Sequence, residues 1–347
     1  MALLDVTPVR LALRTPILAA WGELRERTVL QVRLSWADAD FGVGEAAPLE
    51  PYDGVPLAAV VAALQAYASV LADADPRAGH LELLDACAAE RGLPEALAAI
   101  DLALWDRAGR RAGLPVAQLL AAGAASSIAV NATLGAEDRA GAATQAAAAA
   151  RAGFGCVKVK VGIGDDAGRV AAVRAALGPA IALRVDANRA WASVDEALAH
   201  LRALSPAGIE YAEEPLGGVA ELRALRALSP VPLAMDETAA EPGAVGAGAA
   251  DAICLKIARC GGITGVLRDA RAARAAGSAV YVSSTFDGPL GVAAGVHAAA
   301  ALAASGPVAH CGLATLASFE GLEEVMAPRG GAIAVPRGPG LLGARAP

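Results

Sequence analysis

Gly155-Cys156-Val157-Lys158-Val159-Lys160-Val161-Gly162 reads as a β-strand. Its period of two puts Val157, Val159 and Val161 on one face and both lysines on the other. Glycines bracket it, and β-branched valines fill alternate positions. Two ammonium groups side by side on an inward face are costly unless something close by wants positive charge or a proton acceptor. The rest of the chain supplies that partner.

Working outward, short Val/Ile-rich runs recur at 128–134, 156–161, 181–187, 208–213, 231–236, 251–256, 279–284 and 307–312, and helical patterns separate them. Eight such runs with short connections are the signature of a parallel (β/α)8-type barrel, with a doubly wound sheet as the alternative that a count alone leaves open. The catalytic barrel is expected over 125–313. Residues 1–120 read as an α+β capping domain, with a strand at Val29 to Trp36, a turn-rich loop at Leu49 to Gly54, and helices at Leu57 to Ala74 and Pro94 to Arg111. The Gly- and Pro-rich tail 314–347 is expected to return to that capping domain.

One charged residue or pair closes each middle run: Lys158 and Lys160, then Asp186, Glu213, Asp236 and Lys256. In a barrel the C-terminal strand ends form the active-site mouth, so these six should converge, with Lys160 and Lys256 opposed and the three carboxylates between them. A lone charge at a strand end is ordinarily a solvated group or a helix cap. Six in succession, symmetric about the fourth run, are not explained by capping. Glu214 and Glu237 neighbour two of the carboxylates, and alternation sends them outward or to the rim. Arg184 and Asn188 share parity with Asp186 and are candidate substrate contacts, as are Ser283, Ser284 and Tyr52.

Three hard oxygen donors without His or Cys beside them suit Mg²⁺, with Mn²⁺ as a substitute. Such a cation stabilises the enediolate left when an α-proton departs from a carboxylate substrate, and Lys160 is placed to take that proton. Lys158 and the cation are expected to draw the pKa of Lys160 down toward neutrality.

Composition narrows the alternatives. The chain has 347 residues, a net charge of −7 without long like-charge runs, and 56% apolar residues inflated by alanine. That balance argues against nucleic acid or an anionic membrane as partner and leaves a small-molecule carboxylate substrate. No run reads as a membrane span or secretion signal, and five cysteines without CxxC spacing read as reduced, so a cytoplasmic protein is expected. A homo-oligomer is compatible with the sequence but not specified by it. A Schiff-base aldolase and a non-catalytic barrel are the readings from other classes. A barrel without activity would be expected to lose some of the six charges, and all are present.

The constellation resembles the enolase superfamily, and within it the muconate lactonizing enzyme subgroup. Lys158-Val159-Lys160 is similar to its KxK motif, Asp186, Glu213 and Asp236 to its three metal ligands, and Lys256 with Cys260-Gly261-Gly262 to its opposite-face lysine. Gly42-Val43-Gly44-Glu45 and Ala99 to Asp106 resemble its capping domain. The resemblance implies a modified (β/α)7β barrel. Leu183 to Trp191, Ser283 to Gly291 and Cys311 to Thr315 most resemble the o-succinylbenzoate synthase family, although Phe286-Asp287-Gly288-Pro289 departs from its usual wording. That family implies a lyase of menaquinone biosynthesis. It eliminates water in syn fashion, with Lys160 as base and then acid and Lys256 as electrostatic partner. N-acylamino acid racemases, dipeptide epimerases and muconate cycloisomerases are the alternatives within the superfamily. Segments 15–27 and 49–54 would close the mouth.

Overall fold

The computed structural model describes residues 2–343 apart from 20, 21, 37–39, 76, 136 and 137. The chain opens with β1 (Ala2–Ala19), β2 (Gly22–Trp36) and β3 (Phe41–Ala46), an antiparallel sheet in the order β1-β2-β3. Leu30, Val32 and Leu34 alternate onto one face of β2 and are buried under helices that follow. These helices are α1 (Glu50–Asp53), α2 (Leu57–Asp73), α3 (His80–Glu90), α4 (Pro94–Ala112) and α5 (Val116–Leu120).

Strand β2 begins seven residues earlier than its apolar alternation indicates, because Glu23, Arg25 and Glu26 mask the pattern there. Segment 15–27, expected as a loop, is the closed end of the β1–β2 hairpin, with a register shift between Ala12 and Ile17. Residues 20 and 21 of that segment lie outside the described residues.

The Gly42-Val43-Gly44 run has a packing cause. A Cβ on Gly42 would stand 1.8 Å from the Ala103 carbonyl oxygen, and one on Gly44 2.0 Å from that of Ala99. Ala99 and Ala103 share one face of α4, so β3 and α4 touch backbone to backbone.

The second unit is a curled parallel sheet. In chain order its parts are β4 (Ser127–Ala129), β5 (Ala132–Leu134), α6 (Arg139–Arg151), β6 (Cys156–Lys160), α7 (Asp166–Leu177), β7 (Ala182–Asp186), α8 (Val194–Leu204) and β8 (Ile209–Glu213). Next come α9 (Val219–Arg226), β9 (Leu233–Met235), β10 (Ala252–Lys256), α10 (Ile257–Cys260), α11 (Ile263–Ala275), β11 (Ala279–Ser283), α12 (Pro289–Ala303) and β12 (Ala332–Ala334). Seven of these strands, β5 to β11, lie side by side in sequence order.

Two of the eight expected runs differ from the reading. Run 128–134 divides: β4 turns away to pair antiparallel with β12, and β5 alone joins the parallel sheet. Run 307–312 forms no ladder strand, and Pro307 brings no N–H to it. It still closes the cylinder, because Gly312 N donates to Val282 O at 2.9 Å and Asn131 N to Cys311 O at 3.0 Å.

Three buried carboxylates of the N-terminal unit accept backbone N–H groups of the rest of the chain. Glu45 takes Gly288 N (2.7 Å), Asp101 takes Thr264 N (3.0 Å) and Asp106 takes Leu341 N (2.8 Å). The first two satisfy orphan donors at the starts of α12 and α11, where a negative group also complements the helix dipole. No helix among the described residues is long and apolar enough to cross a membrane, and all five cysteines are buried and unpaired.

A buried histidine fastens α12 to its surroundings. His297 Nδ1 accepts from Ala117 N at 3.1 Å, and Nε2 faces Leu341 O at 2.9 Å. Burial pushes its pKa from 6.5 down to about 4. The native state thus excludes a proton that the unfolded chain binds. Its stabilising contribution is complete above pH 6.5 and lost as pH falls toward 4. The displacement corresponds to about 3 kcal/mol. His297→Gln is expected to flatten the Tm profile between pH 6.5 and 4; an unchanged slope would show that other groups set the acid limit.

Candidate active site

Parallel register brings the predicted charges together. Lys160 pairs across the ladder with Asp186, and Asp186 with Glu213, so the strand ends lie level at one mouth. Lys160 Nζ is 2.7 Å from Asp186 Oδ2 and also donates to Asn188 Oδ1. Lys158 Nζ stands 2.9 Å from both Asp186 and Glu213. On the facing staves, Lys256 Nζ is 2.8 Å from Asp236 Oδ2 and also donates to the Tyr52 hydroxyl, which itself donates to Asp236 at 2.9 Å. Lys158, Lys160, Asp186, Asp236 and Lys256 line a cavity of about 250 Å³.

Burial raises the cost of charge on every one of these carboxylates, and their partners decide the outcome. Burial pushes Asp186 up, but Lys158 and Lys160 outweigh it and hold its carboxyl well below the usual range. Asp236 is held down likewise by Lys256 and Arg259. Glu213 is pushed up by burial and by the two aspartates, against the pull of Lys158. For Lys158, burial works against the ammonium, yet Asp186 and Glu213 win and drive its pKa well above the lysine range.

Several sites differ from the sequence reading. Glu214 is not at the rim: it is fully buried. Its left-handed φ of 41° breaks the strand alternation and folds the side chain beneath the next loop. There it accepts from Asp236 N (2.7 Å), Thr238 N (2.8 Å), the Thr238 hydroxyl and Arg189. Glu237 is turned inward as well, accepting from Asn188 Nδ2 at 2.8 Å, and burial beside Asp236 pushes its carboxyl up to about 8.

Arg184 does not reach the cavity. It sits one layer lower in the barrel, bonded to Glu210 (2.7 Å) and His310 O (2.7 Å) between two tyrosine rings. Correct parity put it inside, but the two-residue step back from Asp186 put it too deep. Ser283, Ser284, Tyr52 and Asn188 do line the cavity. Ser284 Oγ accepts from Asp287 N at 2.9 Å and so braces a turn rather than capping α12, whose N-cap is Gly288.

The sequence reading missed Tyr281 and Arg259. Tyr281 donates to Glu213 Oε2 at 2.8 Å, and its parity with Ser283 on β11 would have shown it. Arg259 reaches Asp236 Oδ1 at 3.0 Å from α10, where no strand parity applies. The outer cavity is walled by Ile17, Leu49, Leu134, Phe286 and Ala314 and by the hydroxyls of Thr133, Thr285, Thr315 and Ser318.

The donor set suits a hard divalent cation. Asp186, Glu213 and Asp236 are buried oxygen donors at one mouth. Oxygens of Glu213 and Asp236 lie within 4.8 Å of each other and of Cys254 Sγ. Cys254 thus stands beside two of the carboxylates, where the sequence reading expected no Cys, and burial pushes its thiol well above its ordinary pKa.

Comparison with known proteins agrees with this architecture. The N-succinyl-L-Arg/Lys racemase of Bacillus cereus is 32% identical over 216 residues, 60% of this chain and 58% of the racemase. Its solved structure superposes with a TM-score of 0.90 at 25% identity, covering 98% of this chain and 94% of that one. An o-succinylbenzoate synthase of Thermobifida fusca is 42% identical over 176 residues, 48% of this chain and 54% of the synthase. These two matches span little more than half of each relative's length. Muconate cycloisomerase 1 of Pseudomonas putida is 31% identical over 304 residues, 82% of this chain and 80% of that enzyme.

Residues 2–121 match the family model of the mandelate racemase / muconate lactonizing enzyme N-terminal domain, and residues 141–343 that of the enolase C-terminal domain-like fold. With capping unit and barrel both matched, and six charged side chains gathered where such a barrel carries its chemistry, this chain is an enzyme of the enolase superfamily.

Proposed function

We propose that the chain dehydrates a succinyl-hydroxycyclohexadiene carboxylate to 2-succinylbenzoate, with Mg²⁺ or Mn²⁺ held by Asp186, Glu213 and Asp236. The cation would supply Lewis-acid stabilisation of the charge that develops on the substrate carboxylate. One observation carries the reading: Lys160 and Lys256 enter a single small cavity from opposed staves, and its outer half holds hydroxyls and apolar groups.

Lys160, as free amine, removes the α-proton, and the bonding pair becomes the enediolate. The ammonium so formed then protonates the β-hydroxyl on the same face as the C–O bond breaks, releasing water and the aromatic ring. One group thus serves as base and acid, and aromatisation drives the second step. Lys256 stabilises the enediolate from the other face, with Tyr52 and Asp236 fixing its ammonium. Lys158 holds Asp186 and Glu213 in register. Ser283, Ser284 and the neighbouring hydroxyls meet the succinyl carboxylate.

The opposed lysines also favour a second reading, racemisation of N-succinylamino acids, because each face of an α-carbon then has its own amine. Dipeptide epimerisation has less support, since no carboxylate of 309–313 stands ready for a substrate amine. An absorbance assay following loss of the cyclohexadiene, run beside deuterium exchange at the α-carbon of N-succinylamino acids, tests the choice. Rapid exchange without dehydration would replace the first reading by the second.

A further inference from the structure

We propose that Arg27 is a positioning residue that locks two walls of the cavity together, the segment after β3 and the turn after β11. Its side chain is 3% exposed, yet it reaches three backbone carbonyls rather than a carboxylate. One terminal nitrogen donates to Pro48 O at 2.6 Å, the other to Ala47 O at 2.9 Å, and Nε to Phe286 O at 3.2 Å. Ala47 and Pro48 lead directly into Leu49 and Tyr52. Phe286 belongs to the run Ser283 to Phe286, and Leu49, Tyr52, Ser283, Ser284, Thr285 and Phe286 all line the cavity. One guanidinium therefore sets the spacing between the wall that carries Tyr52 and the wall that carries the serines.

The geometry around Phe286 supports this role. Its φ of 56° is a left-handed conformation that a bulky residue adopts only when its surroundings enforce it. The turn is braced by Asp287 N on Ser284 Oγ (2.9 Å) and held below by Glu45, which accepts from Gly288 N. A Cβ on Gly288 would stand 2.4 Å from Glu45 Oε2, so the turn is seated directly on that carboxyl. Asp287, Asp53 and Glu45 are the acidic groups whose field opposes the burial cost of the guanidinium. Arg27 and Glu45, from adjacent strands of the capping sheet, thus grip the same barrel turn, and Arg27 also reaches the carbonyls of Ala47 and Pro48.

Hydrogen exchange on the intact chain tests the linkage without any substrate. In Arg27→Met, segments 47–54 and 284–291 are expected to exchange faster together, by about tenfold to a hundredfold for a lost buried charge-assisted bond set, while β2 and the barrel strands keep their protection. Glu45→Gln retains an oxygen for Gly288 N and should leave both segments protected; Glu45→Ala should release 284–291 alone. Acceleration of only one segment in Arg27→Met, or no acceleration, would overturn the linkage. Uniform acceleration through the capping sheet would assign Arg27 to fold stability instead.

The kinetic consequence rests on the dehydratase reading: KM rises about tenfold with a smaller fall in kcat, since Lys160 and Lys256 stay on barrel strands while the wall that carries Tyr52 loosens. Absence of turnover in the unaltered enzyme would count against that reading, and the exchange pattern would still decide the role of Arg27.

Discussion

Lys160→Ala is expected to lower kcat for dehydration by about 10⁴-fold or more, because one side chain supplies both the base and the acid of the reaction. The substitution removes the amino group that donates to Asp186 and Asn188 at the cavity wall. Lys158 remains on Asp186 at 2.9 Å, so that buried carboxylate keeps a partner and the fold should survive. A KM within a few-fold of the parent would place the loss in the chemical step.

Lys256→Ala provides the contrast. If Lys256 acts only through its charge, dehydration should fall by about 10²- to 10³-fold, the range for removing one preorganised electrostatic group. Exchange of an α-proton from the opposite face should vanish completely. Retention of more than a hundredth of the activity in Lys160→Ala would assign proton removal to another group.

Glu213→Gln should abolish divalent-cation binding and, with it, activity. Glu213 accepts from Lys158 and from Tyr281, and the amide keeps the shape and one acceptor oxygen while losing the charge. Burial and the two neighbouring aspartates already push this carboxyl up. Neutralising it therefore relieves repulsion, and the cation-free Tm should hold or rise. Mg²⁺ should raise the Tm of the parent by a saturable amount and leave the variant unmoved, as expected when a ligand binds only the native state. Titration calorimetry with Mg²⁺ and Mn²⁺ gives the same answer by heat. Undiminished affinity in Glu213→Gln would move the cation off the proposed triad.

Much of this site was legible in the chain because strand parity is a strict rule. Period two, applied to five short runs, put Lys158, Lys160, Asp186, Glu213, Asp236 and Lys256 at one mouth, and the ladder registers bring them there. Parity gives the side of a sheet and not the depth, which is why Arg184 was placed on the right face and in the wrong layer. It also holds only while the backbone stays extended. Glu214, at φ 41°, escapes it, and so does Arg259 on the α10 turn.

Strand β1 was illegible for another reason: Pro8 and Pro16 interrupt its pattern, and its pairing partner begins with charged residues. The closure of the barrel by Cys311 and Gly312 depends on isolated bridges, which leave no periodic trace in a sequence.

The carboxyls of Glu45, Asp101 and Asp106 fix what can be exchanged between relatives. A chimaera that takes its first 120 residues from one homologue and its cylinder from another must match three acid-to-amide contacts at once, or leave the starts of two helices and one turn of the tail without acceptors. The two halves are therefore expected to be inherited as a pair, and new substrate preferences to arise by altering the short segments between them.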